Sequence, residues 1–292
     1  MSHFLRLPAT RRPQAGTLPN LVIIGAMKGG TTSLHYYLSL HPQIWMSREK
    51  ELYFFVSERN WNKGIEWYKS NFTGEAKIYG EASPGYTNYP TFKGVPERMH
   101  SVVPDAKLIY IVRDPIERLI SHYVHYYAEG LESQTLAEAL ADFACPYVQR
   151  SQYAMQLELY LKYYPLSSIL IIAQEDLLRR RHATLQEVFR FLGVDDSFHS
   201  LRFAITMHKT RDKRRLNQTG KRLAHLPGMA ALKQLAPDVH WHLERWLCYP
   251  FSHKVERPAL TEPLRQALVD YLKDDIDRLR AYSGRDFEEW CI

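Results

Sequence analysis

The sequence predicts one α/β domain of three layers, a P-loop-like fold in which a central parallel sheet is flanked by helices. Two observations carry that expectation. Three short apolar runs, LVII (21–24), LIYIV (108–112) and ILIIA (169–173), each lead into a helical pattern, as buried parallel strands do. The chain has 292 residues and 45% hydrophobic content, which suits one large domain with a substantial core.

Residues 1–19 are polar, with Arg6, Arg11, Arg12, Pro8 and Pro13, and read as a mobile tail ahead of a single domain over 20–292. The first strand is Leu21–Ile24. After a glycine-rich turn, Thr31–Leu40 reads as a helix with Leu34, Tyr37, Leu38 and His41 inward. The strand Leu108–Val112 runs into RDPIERLISHYVHYY, where Asp114 can cap, Pro115 takes the first helical position and Glu117 closes a capping box. The strand Ile169–Ala173 is followed by QEDLLRR and the amphipathic stretch Thr184–Leu192. Ile78–Ser83 reads as a further strand, and Leu136–Ala144 and Gln152–Tyr164 as helices. No solenoid repeat is present. His208–Arg257 is irregular and basic, with HKTRDKRRLNQTGKR its densest cationic stretch. A long helix over Glu262–Tyr282 follows, ending in Phe287 and Trp290, and is expected to pack on the sheet.

Net charge of +6 and a pI near 9.1 suit an anionic partner, so nucleic acid is one class to weigh. Cys145, Cys248 and Cys291 are odd in number and in no zinc or dithiol spacing, which reads as reduced thiols. No signal-like or membrane-spanning apolar stretch follows the N-terminal arginines. A cytoplasmic protein is the expectation.

The segment LVIIGAMKGGTTSL places Gly25, Gly29 and Gly30 between a buried strand and a helix N-terminus, where free backbone N–H groups attract anions. Lys28 adds a mobile positive charge, and Thr31, Thr32 and Ser33 offer hydroxyls. Gly25 and Gly30 have the spacing of GxxxxGK[ST], but Thr31 stands where a nucleotide triphosphatase has lysine, and Lys28 lies inside the loop. No magnesium-holding aspartate directly ends a later strand, because LIYIV runs into Arg113 before Asp114. An ATP-dependent kinase is therefore the second reading.

Arg113 at a strand's C-terminal edge points to the crevice where open α/β sheets bind ligands, and Ser121 lies in the helix behind it, about 10 Å up its axis from Asp114. Guanidinium and hydroxyl together can grip a phosphate. The alternative is that Arg113 pairs with Glu117 and that Ser121 belongs to the helix surface.

Together, GAMKGGTTSL, KLIYIVRDPIERLISHY and the intervening KELYFF resemble the sulfotransferases that use 3′-phosphoadenosine 5′-phosphosulfate (PAPS), particularly the branch containing the heparan sulfate sulfotransferases and many bacterial members. The resemblance implies that Lys28, Gly29, Gly30, Thr31, Thr32 and Ser33 bind the 5′-phosphosulfate end, and that Arg113 and Ser121 hold the 3′-phosphate. It implies a nucleotide contact for Tyr153, with a core tyrosine as the alternative. It gives Lys221 and Arg222 a place in a loop that folds over the cosubstrate. That use of the cationic stretch needs no nucleic acid, whose readers interleave stacking aromatics that the stretch lacks. It also implies Glu51 of KELYFF as general base. Those glycan enzymes carry a lysine in the segment corresponding to GEASPGY, where this chain has Ala82. A saccharide or small-molecule hydroxyl, or an amine, is the acceptor class that remains.

Sulfuryl transfer asks for in-line attack, a base for the acceptor's proton, and a cation near the bridging oxygen where negative charge grows, roles that fall to Glu51 and Lys28. The transferred group carries less negative charge than a phosphoryl group, so no metal is expected. His122 with His125, and His240 with His242, lack a third ligand at recognisable spacing and read as surface or packed histidines. His35 and His41 rank behind Glu51 as bases. The tyrosines Tyr123, Tyr126 and Tyr127 read as core and cleft wall. PAPS-dependent sulfotransferase, P-loop kinase and basic nucleic-acid-binding protein are thus the three readings.

Overall fold

A computed structural model describes residues 16–205, 213–224, 226, 243 and 246–292. Five parallel strands, β1 (Leu21–Gly25), β2 (Ile44–Met46), β3 (Ile78–Ala82), β4 (Lys107–Val112) and β5 (Ile169–Ala173), form one sheet in the order β2-β3-β1-β4-β5. The expected parallel sheet is therefore present. Its central strands are buried on both faces, which explains why their sequences are apolar throughout. Val22, Ile24, Leu108, Tyr110 and Val112 enter one core cluster, while Leu21, Ile23, Ile109 and Ile111 enter the other.

Connections from β1 run to one side of the sheet, through α1 (Thr31–Ser39) to β2, and those from β4 run to the other, through α4 (Pro115–Glu129) to β5. The switch point where open sheets bind ligands therefore lies at the C-terminal ends of β1 and β4. Between these elements lie α2 (Gly64–Lys69) and α3 (Val95–Val102). Further along are α5 (Leu136–Ala139), α6 (Pro146–Gln149), α7 (Tyr153–Leu161), α8 (Gln174–Arg179) and α9 (Arg181–Leu192). The chain is tied down before β1, since Thr17 N–H donates to the Phe72 carbonyl at 3.0 Å.

Three expectations need correction. The helix expected over 136–144 stops at Ala139, and the chain then turns, with Ala144 N–H bonded to Asp142 Oδ1 at 2.7 Å. Asp114 does cap α4, accepting from Glu117 N–H at 2.8 Å, but Glu117 does not close a capping box. The Asp114 N–H goes to Glu175 Oε1 at 3.1 Å, and the Glu117 carboxylate turns to Arg113 and Arg257. The C-terminal helix, Glu262–Ser283, lies against α7 and α4, and its Ile276 and Leu279 reach the core above the sheet.

Part of the basic stretch, and His240 and His242, lie outside the described residues. The described part forms β6 (Arg214–Leu216), antiparallel to β7 (Ser252–Lys254), and the helix Gln218–Ala224. Its cations have internal partners: Arg215 covers the Tyr127 ring at 3.9 Å, and Arg214 covers Tyr249 at 4.2 Å and donates from Nε to Ser252 Oγ at 2.7 Å.

Candidate active site

The loop between β1 and α1 crosses the switch point. Ala26 N–H donates to the Ile111 carbonyl of β4 at 2.6 Å, and Gly29 N–H closes a turn onto the Ala26 carbonyl at 2.9 Å. Position 29 admits only glycine, because a Cβ there would stand 2.5 Å from the Ile111 carbonyl oxygen; Gly30 takes φ +103°. Lys28, also left-handed at φ +71°, is the residue the turn strains. Helix α1 starts at Thr31, and its N-cap Gly30 supplies no side-chain cap; with no acid in the first turn either, its first N–H groups attract an external anion, while Thr31 and Ser33 are buried.

The Lys28 ammonium has its pKa lowered to about 8, first by burial and then by the Lys213 charge; Glu129 and Glu51 act against this and Arg113 with it. These groups converge from the loop, the end of β4, α4, the residue before β6 and the turn after β2. A surplus of positive charge around the loop is what a bound anion would relieve.

Arg113 extends from the end of β4, and its Nη2 lies 3.1 Å from Glu117 Oε2, the pairing that the sequence left as an alternative. Tyr153 is fully buried and donates its hydroxyl to the Arg113 carbonyl at 2.7 Å, with its ring edge-on to Tyr110. It stands in the core and braces the residue beside the site. Ser121 is buried on α4. Lys221 lies at the C-terminal end of α4, where its Nζ would be 3.0 Å from a Cβ on Gly130, and Arg222 is exposed.

Glu51 stands in the turn after β2, anchored by its N–H to the Ala82 carbonyl at 3.0 Å. Lys50 Nζ bonds its Oε1 at 2.6 Å, and the Tyr53 hydroxyl donates to Oε2 at 2.9 Å. Burial works to raise its pKa, but the Lys50 charge, these two hydrogen bonds and the nearby His125 hold it below the usual carboxylate range. The carboxylate is ionised and faces the same cluster as Lys28. Ala82, where the resemblance has lysine, is buried at the end of β3.

His35 and His41, the alternative bases, and His122, read as a surface or packed histidine, have other employment. His35 is held at about 4 by burial and by Lys50, with Nε2 against the Ser47 carbonyl at 3.1 Å. His41 is packed between Phe189 and Phe198 and bonds the Asp195 carbonyl at 2.9 Å. His122 is buried and takes Arg150 Nη1 at 3.1 Å; burial, then Arg118 and Arg150, keep it neutral.

Arg118, Glu129 and Lys213 escaped the sequence reading, and His125 was read only as a surface or packed histidine. Arg118 is fully buried: its Nε donates to Ser151 Oγ at 2.7 Å, and its other nitrogens to the Tyr147 and Met27 carbonyls. It clamps the phosphate loop one residue before Lys28. Burial, the largest influence, lowers its pKa to about 10, so it stays charged at neutral pH. His125 lies 3.0 Å from Glu129 through Nδ1, and Lys213 approaches both. His125 Nδ1 thus faces both a carboxylate that can accept from it and an ammonium that can donate to it. The available signal was spacing: Arg118, Ser121, His122, His125 and Glu129 share one face of α4.

A glycine-rich loop at the switch point of a three-layer parallel fold, with an arginine at the next strand's end, is an anion-binding class of site. Residues 18–229 match the sulfotransferase domain family, and the chain belongs to that family. It is similar to heparan sulfate glucosamine 3-O-sulfotransferase 5 of Homo sapiens, 33% identical over 219 residues, 66% of this chain and 62% of the relative. It is also similar to the membrane-associated sulfotransferase kil1 of Dictyostelium discoideum, 42% identical over 120 residues, 39% of this chain and 24% of the relative. The chain thus spans less than two thirds of the curated relatives it matches. The crystal structure of a sulfotransferase from Alicyclobacillus acidocaldarius shares the fold, with a TM-score of 0.66, 24% identity, and coverage of 94% of this chain and 99% of that one.

Proposed function

We propose that this chain moves a sulfuryl group from PAPS to a hydroxyl, or amine, of a saccharide or small-molecule acceptor. The observation that supports this best is the convergence of Lys28, Arg113 and Glu51 at the switch point, on a loop shaped for an anion. The residues present suit the cosubstrate. Gly29 leaves the backbone bare, the first turn of α1 lacks a side-chain cap, and Lys28 is desolvated among other cations.

In this reading PAPS supplies an activated sulfuryl group on a phosphate leaving group. Lys28 and the α1 N-terminus stabilise negative charge at the bridging oxygen. Arg113 and Ser121 hold the 3′-phosphate, and Glu51 removes the acceptor's proton during in-line attack. Among the described residues no group of three or more His, Cys, Asp or Glu side chains is placed to hold a metal ion. The thiols Cys145 and Cys291, which form no disulfide, support a reducing, cytoplasmic setting as part of the proposal. Among the described residues no helix is long and apolar enough to cross a membrane.

The experiment is a screen of sugars and small alcohols with ³⁵S-labelled PAPS, with and without excess EDTA, paired with thermal shift. Label transfer that survives EDTA, and protection by 3′,5′-adenosine bisphosphate, are expected. Protection by ATP with magnesium alone would move the kinase reading to first place. Protection by oligonucleotides with steep salt dependence would favour the nucleic-acid reading.

A further inference from the structure

We propose that Tyr53 is the positioning residue of Glu51, its phenol fixing the direction in which the carboxylate faces the cleft. The inference rests on the reading of Glu51 as general base. Two non-glycine residues in this turn are left-handed, Glu51 at φ +69° and Tyr53 at φ +47°. Such a conformation is costly for an aromatic residue and persists only where surrounding contacts impose it.

The contacts that impose it are specific. Tyr53 N–H donates to Ser83 Oγ at 3.0 Å, and the Ser83 hydroxyl donates in turn to the buried Glu81 carboxylate at 2.7 Å. The ring lies over Gly85, where a Cβ would come within 2.4 Å of Tyr53 Cε1, and meets Tyr86 and Phe92 edge-on. A ring fixed on these sides delivers its hydroxyl to Glu51 Oε2 at 2.9 Å. Lys50 holds only the other oxygen, at 2.6 Å. Without the phenol, the carboxylate is free to turn wholly to Lys50 as an exposed ion pair.

The charges around the pair come from several elements. Lys50 is on the same turn, His125 faces Glu51 from α4, Lys28 from the phosphate loop, and Arg59 and Tyr126 face Tyr53. Burial, and then the adjacent carboxylate, push the phenol's pKa well up, so it remains a donor across the working range. The donated bond favours the ionised carboxylate. Its removal raises the Glu51 pKa, and activity that needs the ionised form is then lost at a higher pH as pH falls.

The test compares wild type, Tyr53→Phe, Gly85→Ala and Glu51→Gln. The Glu51 carboxyl is titrated by ¹³C NMR, with the Glu51→Gln spectrum as assignment, and PAPS turnover is followed with glucosamine as the probe acceptor. In Tyr53→Phe the titration should move up by about half to one pH unit, the equivalent of one lost hydrogen bond. The acid limb of turnover should follow it, with affinity for 3′,5′-adenosine bisphosphate unchanged. Gly85→Ala, which displaces the ring, should act in the same direction. An unmoved titration in both variants overturns the proposal, as does a moved titration with an unmoved rate profile. An active Glu51→Gln enzyme instead removes the base reading, an outcome visible whatever Tyr53 does.

Discussion

Arg113 and Glu117 form an ion pair at 3.1 Å across one turn at the start of α4, and the second Glu117 oxygen takes Arg257 at 2.6 Å. Two guanidinium groups thus share one carboxylate that is 42% exposed. An exposed pair of this kind is worth about 0–1 kcal/mol, whereas a hydrogen bond to a charged phosphate contributes about 1.5–3 kcal/mol. If Arg113 takes the proposed 3′-phosphate, that bond should outcompete Glu117 for it. Arg113→Ala should weaken 3′,5′-adenosine bisphosphate by about 1.5–3 kcal/mol in calorimetry and leave adenosine 5′-monophosphate almost unaffected. Equal weakening of both nucleotides would assign Arg113 to the fold or to the 5′ end.

The parts legible in the sequence were those fixed by local pattern. β1, β4 and β5 are apolar because both faces are covered, and the loop after β1 declares itself through glycines whose neighbours leave no room for a Cβ. β2 is three residues long with Trp45 half outward, too short to show a period. The site was legible in its near-sequence contacts and not in its distant ones. Arg118 serves the loop by bonding Met27, 91 residues away, and Lys213 reaches His125 across 88 residues. The capping box misled because Glu117 has stronger claims from two arginines, one of them 140 residues distant.

Nucleotide binding should depend on pH through Lys28. In the free protein it titrates at about 8, so it is charged at pH 6.5 and loses its proton through pH 8–9. A bound phosphate favours the charged form and raises the pKa, so binding above about pH 8 takes up a proton. Affinity for 3′,5′-adenosine bisphosphate should fall as pH rises through this window, by up to about tenfold per unit. Calorimetry in two buffers of different ionisation enthalpy reads the proton directly. Lys28→Met should abolish the uptake; uptake that persists in it belongs to another group.

Asp275 ties the C-terminal helix to α7. Its Oδ2 accepts from Ala154 N–H and its Oδ1 from Met155 N–H, each at 2.9 Å, at the start of that helix. Asp275→Ala strands one buried and one half-buried donor and should cost about 2–4 kcal/mol in urea unfolding. Asp275→Asn, which keeps one acceptor, should cost less. Nucleotide affinity measured at low temperature should hold in both, because neither bond lies in the phosphate site.

Glu51→Gln tests the chemistry itself. The substitution keeps the side chain's shape and an acceptor for the Tyr53 hydroxyl but removes the group that can take a proton. Turnover should fall by about 10² to 10⁴-fold, equivalent to roughly 3–5 kcal/mol of barrier, with affinity for 3′,5′-adenosine bisphosphate nearly unchanged. Thermal stability should hold as well. The Lys50 pair lost in this variant involves a carboxylate that is 41% exposed, and such pairs contribute little to folding. A variant retaining more than about a tenth of the rate would lie outside the range for a lost general base. The base would then be sought at His125 rather than at His35 or His41. His41 is committed to core packing and His35 is held at about 4, whereas His125 is oriented through Nδ1 by Glu129 and lies near Glu51.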